Sequence, residues 1–489
     1  MSNLRIYRDS LSLLTDLYEL TMAYSYWKAG IADRQAVFCV FFREHPFRGG
    51  YTIAAGLGSL VEWIERLRFD EEDLSYLAGL TGNDGKPLFE KGFLAHLRNL
   101  EFSFDIDAMP EGTVVFPRQP LVRVTGSILQ CQILETAVLN LVNFQSLIAT
   151  KAARVCMAAR GDPVIEFGLR RAQGIDGGLT ASRAAYLGGC EATSNLLAGK
   201  LFDIPVKGTL AHSWVMCFDN EAESFEVYAA AMPNNCVFLV DTYDSLDGVH
   251  NAVRVGRWLS ERGHRMVGIR LDSGDLAYLS LEARRILDDA GFRDAAIVAS
   301  NNLDEGLISS LKEQDATIGV WGVGTQLVTA FDEPALGGVY KLTAVRDSSR
   351  DRWTYKIKLS EQVNKASIPG VLQVRRYHTE SEFLADVMYD EQMGIDDAGV
   401  VIDPTDVTRR KQIPVGSQST DLLVPVFRAG KRVMEMPALV RSRQRAADQL
   451  SRLHTGTKRL VNPHEYPAGL AENLFELRNN LILELKQKP

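Results

Sequence analysis

Residues 266–275 read MVGIRLDSGD, an apolar run that passes directly into charged and hydroxyl side chains. Runs of this kind alternate with helix-like stretches such as Leu246–Glu261, Leu276–Ala290 and Asp304–Glu313. Strand–helix alternation predicts a parallel sheet, either open or closed into a barrel. The predicted strands are Val164–Phe167, Val206–Gly208, Val237–Val240, Met266–Leu271, Ala296–Ala299 and Thr317–Trp321.

Polar residues gather immediately after these predicted strands. In α/β barrels the active site lies at the carboxyl ends of the strands. Residues with a purely structural role would be scattered over both ends, so the pattern favours an active site at this face. The polar segments are FGLRR (Phe167–Arg171), KGTLAHS (Lys207–Ser213), DTYD (Asp241–Asp244), RLDSGD (Arg270–Asp275), SNN (Ser300–Asn302) and GVGT (Gly322–Thr325).

The sequence on either side of this region predicts mixed α and β structure. The predicted helices are Asp16–Ala29, Leu57–Arg66, Asp70–Ala78, a long apolar helix at Leu129–Arg160, and one around Leu470–Leu485. The predicted strands are Ala36–Phe42, Phe102–Ala108, Leu121–Thr125, Val339–Val345 and Thr354–Leu359.

These elements predict three domains. Residues 1–130 would form an N-terminal α+β domain and residues 131–345 an irregular parallel α/β-barrel domain. Residues 346–489 would form a β-rich and helical extension that packs on the N-terminal domain. The long helix at Leu129–Arg160 would then lie between domains.

Composition excludes several classes of protein. The chain has 489 residues, 46% hydrophobic and 24% charged, with a net charge of −8, which indicates a globular protein of more than one domain. No basic domain is present, so nucleic-acid binding is not expected. No apolar run approaches the ~18 residues of a membrane span, and Met1–Ser10 lacks the apolar core of a signal peptide.

The six cysteines are scattered and none belongs to a CxxC pair. This pattern predicts reduced thiols in a cytoplasmic protein, with neither a disulfide framework nor a zinc site.

The segment Gly322–Thr325 (GVGT) is a candidate phosphate site. Two glycines let backbone N–H groups approach an anion closely, and Thr325 adds a hydroxyl donor. Ser300 and Asn301 follow the preceding strand and strengthen this interpretation, since late barrel loops often bind phosphate. The alternative is an ordinary glycine turn before a helix.

Arg170, Arg171 and Arg270 stand at predicted strand ends, where a guanidinium group grips a carboxylate or phosphate with two hydrogen bonds. The alternative for each is a salt bridge to a neighbouring acid, Asp176, Asp272 or Asp275. Asp272 is suited to sugar hydroxyls or Mg²⁺, but it could equally cap the following helix.

His212 follows a predicted strand among hydroxyl-bearing and charged segments, which makes it a candidate for acid/base or nucleophilic chemistry. Phe167 and Tyr18 are aromatic residues beside polar segments, where a planar ligand ring could stack. The alternative for all three is an ordinary structural role. The residues alone therefore indicate an α/β enzyme that acts on a phosphorylated, anionic substrate.

Six segments in order along the chain resemble nicotinate phosphoribosyltransferase. They are LLTDLYELTMAYSYWKAG (Leu13–Gly30), EFGLRRAQGIDGGLTASRAAYLGG (Glu166–Gly189), GTLAHS (Gly208–Ser213), RLDSGDL (Arg270–Leu276), SNNLDE (Ser300–Glu305) and GVGTQLVTAFDEPALGGVYKL (Gly322–Leu342). The resemblance implies an irregular α/β barrel joined to a sandwich-like α+β domain. It also implies synthesis of nicotinate mononucleotide and pyrophosphate from nicotinate and 5-phosphoribosyl 1-pyrophosphate, in NAD biosynthesis.

The resemblance assigns roles to particular residues. Tyr18, Thr209, Arg270 and Phe167 would bind nicotinate, with the ring sandwiched between Phe167 and Tyr18. Arg270 would meet the nicotinate carboxylate in preference to the pyrophosphate. The residues implied for phosphoribosyl pyrophosphate are Arg170, Asp272, Ser300, Asn301, Gly322, Gly324 and Thr325.

The resemblance also implies co-substrates and partners. His212 matches the histidine that the family phosphorylates from ATP, which couples ATP hydrolysis to the reaction. Mg²⁺ is expected, with Asp272 as its possible ligand. Members usually work as homodimers with composite active sites, so Tyr18 is expected to come from the other subunit. Some members bind zinc through C-terminal cysteines, but no cysteine follows Cys236 here.

Two alternatives stay open at this point. The enzyme could use nicotinamide; against this, Asn195 stands where the nicotinamide enzyme carries an acid, and a neutral side chain suits a carboxylate substrate better. Otherwise the chain could be a metabolite sensor or scaffold without activity, which the presence of Tyr18, His212, Arg270 and Thr325 disfavours.

Overall fold

The computed structural model describes residues 10–347, 352–359, 366–395 and 399–487. The chain divides into two compact units. The first unit contains both ends of the chain, Met1–Ser146 and Ala335–Pro489, and the second unit is the middle, Leu147–Pro334. The predicted boundaries at 130/131 and 345/346 therefore differ from the division that the contacts define.

The N-terminal part of the first unit mixes helices and short strands. Its helices are α1 (Leu17–Lys28), α2 (Leu57–Arg66), α3 (Glu71–Ala78), α4 (Lys91–Arg98), α5 (Ile128–Gln132) and α6 (Glu135–Ala158), which continues into the second unit, together with a 3₁₀ turn at Pro46–Arg48. Its strands are β1 (Gln35–Phe41), β2 (Thr52–Ile53), β3 (Asp105–Ala108), β4 (Val114–Val115) and β5 (Val122–Ser127).

The second unit alternates strands and helices, as its sequence predicts. Its strands are β6 (Val164–Glu166), β7 (Ala192–Thr193), β8 (Val237–Leu239), β9 (Gly268–Leu271), β10 (Ala296–Ala299) and β11 (Val320–Val323). Its helices are α7 (Gly174–Leu187), α8 (Leu196–Phe202), α9 (His212–Val215), α10 (Glu221–Ala231), α11 (Ser245–Glu261), α12 (Leu276–Asp289), α13 (Glu305–Glu313) and α14 (Thr325–Val328), with a 3₁₀ turn at Leu169–Arg171.

The C-terminal part of the first unit is rich in strands. They are β12 (Val339–Arg346), β13 (Thr354–Tyr355), β14 (Leu372–His378), β15 (Phe383–Asp390), β16 (Val400–Ile402), β17 (Arg410–Gln412), β18 (Gln418–Asp421), β19 (Val424–Arg428), β20 (Lys431–Arg432) and β21 (Ala468–Leu470). Two helices complete the chain, α15 (Leu439–Ser451) and α16 (Glu472–Gln487).

Two larger sheets organise the first unit. An antiparallel sheet has the order β13-β12-β1-β5-β3-β19-β20, and a mixed sheet has the order β17-β16-β21-β15-β14-β18. The central strand β1 is apolar along its length (QAVFCVF) because both of its faces are covered, and Val37, Cys39 and Val40 are fully buried. Strands from both ends of the chain thus share one sheet.

The second unit contains one parallel sheet of order β7-β6-β11-β10-β9-β8. This order is the chain order wound in a circle, as in α/β barrels. Val206 adds a parallel bridge to Thr193 at one edge, and within the second unit no backbone ladder joins that edge to β8. The predicted mixed α/β fold with a parallel sheet is confirmed, whereas the ladder does not close into a barrel.

Several predicted elements differ in detail. The predicted strand Val206–Gly208 is a single bridge at Val206, and β7 escaped prediction because it is only two residues long. The predicted helix Leu129–Arg160 is two helices, α5 and α6, separated by a turn. By length and composition, Ile128–Ala158 would be long and apolar enough to cross a membrane, but 61% of its most apolar window is buried inside the protein, as in a core helix.

Candidate active site

An open cavity lies at the carboxyl ends of the strands in the second unit. The polar segments after β6, β9, β10 and β11 meet there because the strands are parallel and neighbouring. The sequence-predicted convergence of these segments is therefore observed. The lining residues are Phe167, Arg170, Arg171, Arg270, Asp272, Ser300, Asn301, Asn302, Gly322, Gly324 and Thr325.

Arg270 is held rigidly at the end of β9. Its Nε donates to Ser300 Oγ at 2.7 Å, its Nη1 to Thr209 Oγ1 at 2.9 Å and its Nη2 to Asp272 Oδ1 at 2.7 Å. A guanidinium group has five N–H donors, so two remain for a ligand. The expected salt bridge and the expected ligand-binding role are thus compatible in one side chain.

Asp272 is a carboxylate stabilised in its charged form. Burial acts to raise its pKa, but the hydrogen bond from Ser300 and the neighbouring charge of Arg270 outweigh burial, so the pKa lies below its usual value. Asp272 does not cap the following helix; Asp275 does, accepting hydrogen bonds from the backbone N–H groups of Ala277 and Tyr278.

Asp241, at the end of β8, is a functional candidate that the sequence analysis did not single out. Its side chain is 1% exposed, and its Oδ2 accepts hydrogen bonds from the Asp272 backbone N–H and from Ser273 Oγ. Its buried Oδ1 has no hydrogen-bond partner among the described residues. The only available signal was its place in DTYD after a predicted strand.

His212 begins the short helix α9 and faces both acids. Its Nε2 lies 3.8 Å from Asp272 Oδ2 and 4.0 Å from Asp241 Oδ1, and its Nδ1 lies 3.1 Å from Thr242 Oγ1. The imidazole is about two-fifths exposed, at 39%. If Thr242 bonds Nδ1, the Nε2 atom is left beside two carboxylates and accessible to a reactant.

Phe167 and β11 fit closely against each other. A Cβ placed on Gly322 would lie 2.7 Å from the Phe167 ring, and one on Gly324 would lie 3.3 Å from the Phe167 carbonyl oxygen. The two glycines therefore let the aromatic ring and the segment before Thr325 share one wall of the cavity. The Phe167 ring centre also lies 5.7 Å from the Arg270 guanidinium carbon.

Glu166 is a second residue that the sequence analysis missed. It is fully buried at the end of β6, and its carboxylate accepts hydrogen bonds from Ser182 Oγ at 2.8 Å, from Thr193 Oγ1 at 2.6 Å and from the Gly168 backbone N–H. A buried carboxylate needs such partners. It fixes the start of the segment that carries Phe167 and Arg170.

Asn195 does not have the position expected of a substrate-discriminating residue. It is 1% exposed, and its amide group donates to Ser182 Oγ and to the Gly178 carbonyl while its Oδ1 caps α8 at Ala198. Its amide group is occupied by these contacts within the fold, so the structure gives no support to a role of Asn195 in the choice of nicotinate over nicotinamide.

Tyr18 belongs to the first unit, on α1, whereas every other predicted site residue belongs to the second unit. It is 44% exposed. Partial burial and the nearby Glu135 and Glu19 carboxylates raise its pKa, so it stays a neutral phenol. Its stacking against Phe167 stays a prediction.

The donor set of the second unit suits Mg²⁺, which takes oxygen ligands and is often bound through one or two carboxylates together with substrate phosphates. Asp272 and the unpartnered Oδ1 of Asp241 supply such oxygens. A ready-made cage is not present: within the described ranges, no group of three or more His, Cys, Asp or Glu residues could hold a metal ion.

The fold and the cavity define the class of this protein. It is an α/β protein with an arginine-lined ligand cavity at the carboxyl ends of a parallel sheet. Sequence profiles described as the nicotinate phosphoribosyltransferase N-terminal and C-terminal domains match residues 13–143 and 373–478. The chain belongs to the nicotinate phosphoribosyltransferase family.

The similarity to individual proteins covers nearly the whole chain. The nicotinate phosphoribosyltransferase of Bacillus subtilis (strain 168) is 42% identical over 98% of this chain and 97% of its own length, and that of Homo sapiens is 36% identical over 96% of each. The crystal structure of human nicotinic acid phosphoribosyltransferase superposes with a TM-score of 0.82 at 34% identity, covering 96% of this chain and 99% of that one.

Proposed function

We propose that this protein is a nicotinate phosphoribosyltransferase that forms nicotinate mononucleotide and pyrophosphate from nicotinate and 5-phosphoribosyl 1-pyrophosphate, as a step of NAD biosynthesis. The observation that carries the proposal is the guanidinium of Arg270, anchored on three partners with two donors left, in a cavity that also holds Arg170 and Arg171. Such a cavity suits a ligand set with one carboxylate and several phosphates.

Nicotinate is proposed to lie against Phe167 with its carboxylate on Arg270. The guanidinium is 5.7 Å from the Phe167 ring centre, so a ring stacked on Phe167 brings its carboxylate within reach of the two remaining donors. Thr209 orients Arg270 through its hydroxyl. Charge-assisted bidentate pairs of this kind are the strong ones in proteins.

Phosphoribosyl pyrophosphate is proposed to occupy the rest of the cavity. Gly322, Gly324 and Thr325 would hold the 5′-phosphate, and Arg170 the pyrophosphate. Ser300, Asn301 and Asp272 line the same cavity and suit the ribose hydroxyls as hydrogen-bond partners. This order places the anomeric carbon between the nicotinate ring and the pyrophosphate.

The chemical step needs no covalent intermediate on the protein at the sugar. The bond from the anomeric carbon to pyrophosphate opens toward an oxocarbenium-like state, and the nicotinate nitrogen attacks the same carbon. Arg170 stabilises the leaving charge, and Phe167 with Arg270 holds the ring in line. Catalysis is then mostly positioning and electrostatic stabilisation.

Mg²⁺ is proposed to bind through Asp272 and Asp241, where it would neutralise charge on the leaving pyrophosphate. The support is the charged state of Asp272 and the buried, unpartnered Oδ1 of Asp241. The two residues also position their neighbours. The Asp241 carboxylate accepts a hydrogen bond from the backbone N–H of Asp272, and the Asp272 carboxylate accepts one from Arg270.

ATP is proposed as a co-substrate that phosphorylates His212. A histidine with Nδ1 held by Thr242 offers Nε2 as the nucleophile toward the γ-phosphoryl group, and ADP departs as the N–P bond forms. Asp241 and Asp272 stabilise the phosphorylated imidazolium. Hydrolysis of the phosphohistidine then resets the enzyme. ATP hydrolysis would be coupled to product formation through the segment that carries both His212 and Thr209, three residues before it.

The remaining features are proposed from the same family membership. The active form is a homodimer in which Tyr18 of one subunit completes the nicotinate site of the other. Although its hydrogen-bonded ladder is open between β7 and β8, the parallel sheet is proposed to curve into an irregular barrel, which its circular strand order supports. The location is cytoplasmic, which agrees with six cysteines that are all free.

The test of the function is synthesis of nicotinate mononucleotide with and without ATP, in wild type, His212→Ala and the control His264→Ala. His264 is partly exposed and lies apart from the cavity lining, with its Nδ1 on Asn234. We expect His212→Ala to lose acid-labile labelling from γ-labelled ATP and to retain slow, ATP-independent synthesis, while the control behaves as wild type.

Three outcomes would change the proposal. Retained labelling in His212→Ala would move the phosphate acceptor to another residue. Complete loss of synthesis in a folded variant would mean that His212 touches the sugar or pyrophosphate. No pyrophosphate release by wild type with both substrates and Mg²⁺ present would favour a sensor or scaffold.

Nicotinamide is the alternative substrate. Because Asn195 is buried and bonded within the fold, the preference for the acid is proposed to depend on Arg270, whose charge favours a carboxylate over a neutral amide. Turnover of the two compounds side by side decides the matter, and a preference for nicotinamide would contradict the proposal.

A further inference from the structure

A larger cavity, of about 480 Å³, lies entirely within the first unit. It is formed by the segment after β1, the segment after β4 and the segments around β16 and β21. Arginines are prominent in its lining, among them Arg48, Arg118 and Arg409. Its volume falls in the range of small-molecule sites.

Arg118 is the decisive residue of this cavity because its charge has no direct partner among the described residues. The side chain is half-buried, and it makes no hydrogen bond or ion pair with any described residue. Burial lowers its pKa; Asp403 and Glu44 oppose that effect from a distance. A guanidinium stays protonated in proteins, so it is a cation in need of an anion.

A second arginine increases the positive charge near Arg118. Arg478 on α16 is 3% exposed, its Nη1 donates only weakly to the Pro404 carbonyl at 3.3 Å, and its Nε is buried without a hydrogen-bond partner in the described structure. Burial lowers its pKa, and the charge of Arg118 lowers it further. Two like charges therefore lie near each other, an arrangement that an anion bound at Arg118 would stabilise.

The backbone around the cavity is strained. A folded protein retains such strain where a bound ligand or neighbouring contacts compensate for its energetic cost. Arg118 has φ +70°, and Phe47 and Arg48 have φ +59° and +49°, in the left-handed region that disfavours bulky side chains. Such residues cluster at ligand clamps. Here they turn Arg48 and Arg118 toward one space.

Part of the cavity lining is aromatic and apolar. The Tyr466 ring stacks on Phe116 with centroids 4.0 Å apart, and Pro404 and Pro463 lie beside them. Arg409 adds no free charge, since it pairs with Asp403 and Glu465. The cavity thus offers a cationic end and an apolar wall, which together suit an anion that carries a small organic group.

We propose that the cavity around Arg118 is a binding site for a phosphate group, either free or as the ester of a small metabolite. Arg118 and Arg48 would contact the phosphate, and the buried charge of Arg478 near Arg118 would favour the bound anion. The site uses residues of the first unit only, and it does not depend on the proposed reaction at the second unit.

The test is the binding of inorganic phosphate to the full-length protein in a phosphate-free buffer, measured by equilibrium dialysis with labelled phosphate. The variants are Arg118→Gln, Arg48→Gln, and Arg441→Gln as a charge-matched control on the exposed face of α15. We expect the number of phosphates bound per chain to fall by one in Arg118→Gln, the affinity to fall in Arg48→Gln, and Arg441→Gln to match wild type. Arg170→Gln, in the other cavity, should leave this site filled.

A second measurement needs no variant, which guards against misfolding of Arg118→Gln. Phosphate should protect Arg118 from phenylglyoxal in peptide mapping, while Arg441 stays reactive. Ribose 5-phosphate added as a competitor distinguishes a phosphate ester from free phosphate as the ligand. If it displaces labelled phosphate at a lower concentration than unlabelled inorganic phosphate does, the ligand is an ester. If it displaces the label equally well or less well, the ligand is the free anion. An unchanged phosphate count in Arg118→Gln, or no protection of Arg118, would overturn the proposal.

Discussion

At the scale of single residues, Arg270 links most of the candidate active site. It joins the segment after β9 to Ser300 after β10 and to Thr209, and Asp272 is in turn held by Asp241 after β8. A change in one of these side chains removes partners from the others. The effects of such changes are therefore not expected to be additive.

The first residue-scale prediction is for Arg270→Lys. Lysine keeps the charge but cannot make three planar hydrogen bonds and still offer two donors, so nicotinate binding should weaken by about 2 kcal/mol. The measurement is the KM for nicotinate at saturating phosphoribosyl pyrophosphate. Arg265→Lys is the control, since Arg265 is exposed and pairs with the exposed Asp294. An unchanged KM would place Arg270 outside the acid site.

The second residue-scale prediction is a pH dependence caused by Asp272. Its pKa in the folded protein is depressed, so its contribution to stability is present above its unfolded value, roughly 3.9, and is lost as the pH falls through the folded value. We expect the Tm difference between wild type and Asp272→Asn to be constant above about pH 5 and to shrink below about pH 4. Asp294→Asn is the exposed control. A Tm difference that persists at low pH would contradict the assignment.

At the scale of elements, the shape of the cavity depends on how the segment after β6 packs on β11. Phe167 and Gly168 leave β6 and pass directly over Gly322 and Gly324, while Glu166 ties the same segment to α7 through Ser182. This packing, more than helix or strand propensity, decides where the Phe167 ring lies.

The element-scale prediction is for Gly322→Ala. The new methyl group would lie 2.7 Å from the Phe167 ring, so the ring or the strand must shift. We expect the free energy of unfolding to fall by about 1–3 kcal/mol and the KM values for both substrates to rise. Gly319→Ala is the matched control, because a Cβ there meets nothing within 4 Å. Urea unfolding measures the free energy of unfolding, and steady-state kinetics measures the KM values. Equal stability and equal KM values in the two variants would refute the packing argument.

At the scale of the whole molecule, the chain returns to its first unit after completing the second. Strand β12 pairs with β1 and β19 pairs with β3, so residues more than 300 positions apart in sequence share one sheet. Tyr18 lies in this first unit and the rest of the proposed nicotinate site in the second. This separation gives the proposed composite site a direct test.

The whole-molecule prediction concerns mixed dimers of Tyr18→Ala and Arg270→Ala. If each active site takes Tyr18 from the other subunit, a mixed dimer has one site with both changes and one site with neither. With random assembly we expect about one quarter of the wild-type activity, well above that of either variant alone. The measurement is activity after co-expression, with each variant expressed alone as the control. No recovery in the mixture would place Tyr18 and Arg270 in the same subunit's site or exclude a dimer.

Local patterns in the sequence are sufficient to establish the alternating strands and helices of the second unit and the convergence of the polar segments. Strand periodicity and the position of polar residues after each strand are local properties, and parallel pairing necessarily brings the carboxyl ends of the strands to one edge. Arg270, Asp272, Ser300 and Thr325 could therefore be named as site residues from their positions along the chain. The family membership followed from the same segments.

Features that depend on contacts between distant residues required the folded chain. The division at Ser146 and Ala335 reflects strand pairing between the two ends of the chain, which no local pattern records. Asn195 resembled a site residue in sequence, but burial turns its amide into a helix cap. Asp241 and Arg118 became candidates because each carries a charged group that the fold buries at least partly without a direct partner for all of its polar atoms. The cost of burying a charge depends on what surrounds it, which only the folded chain shows.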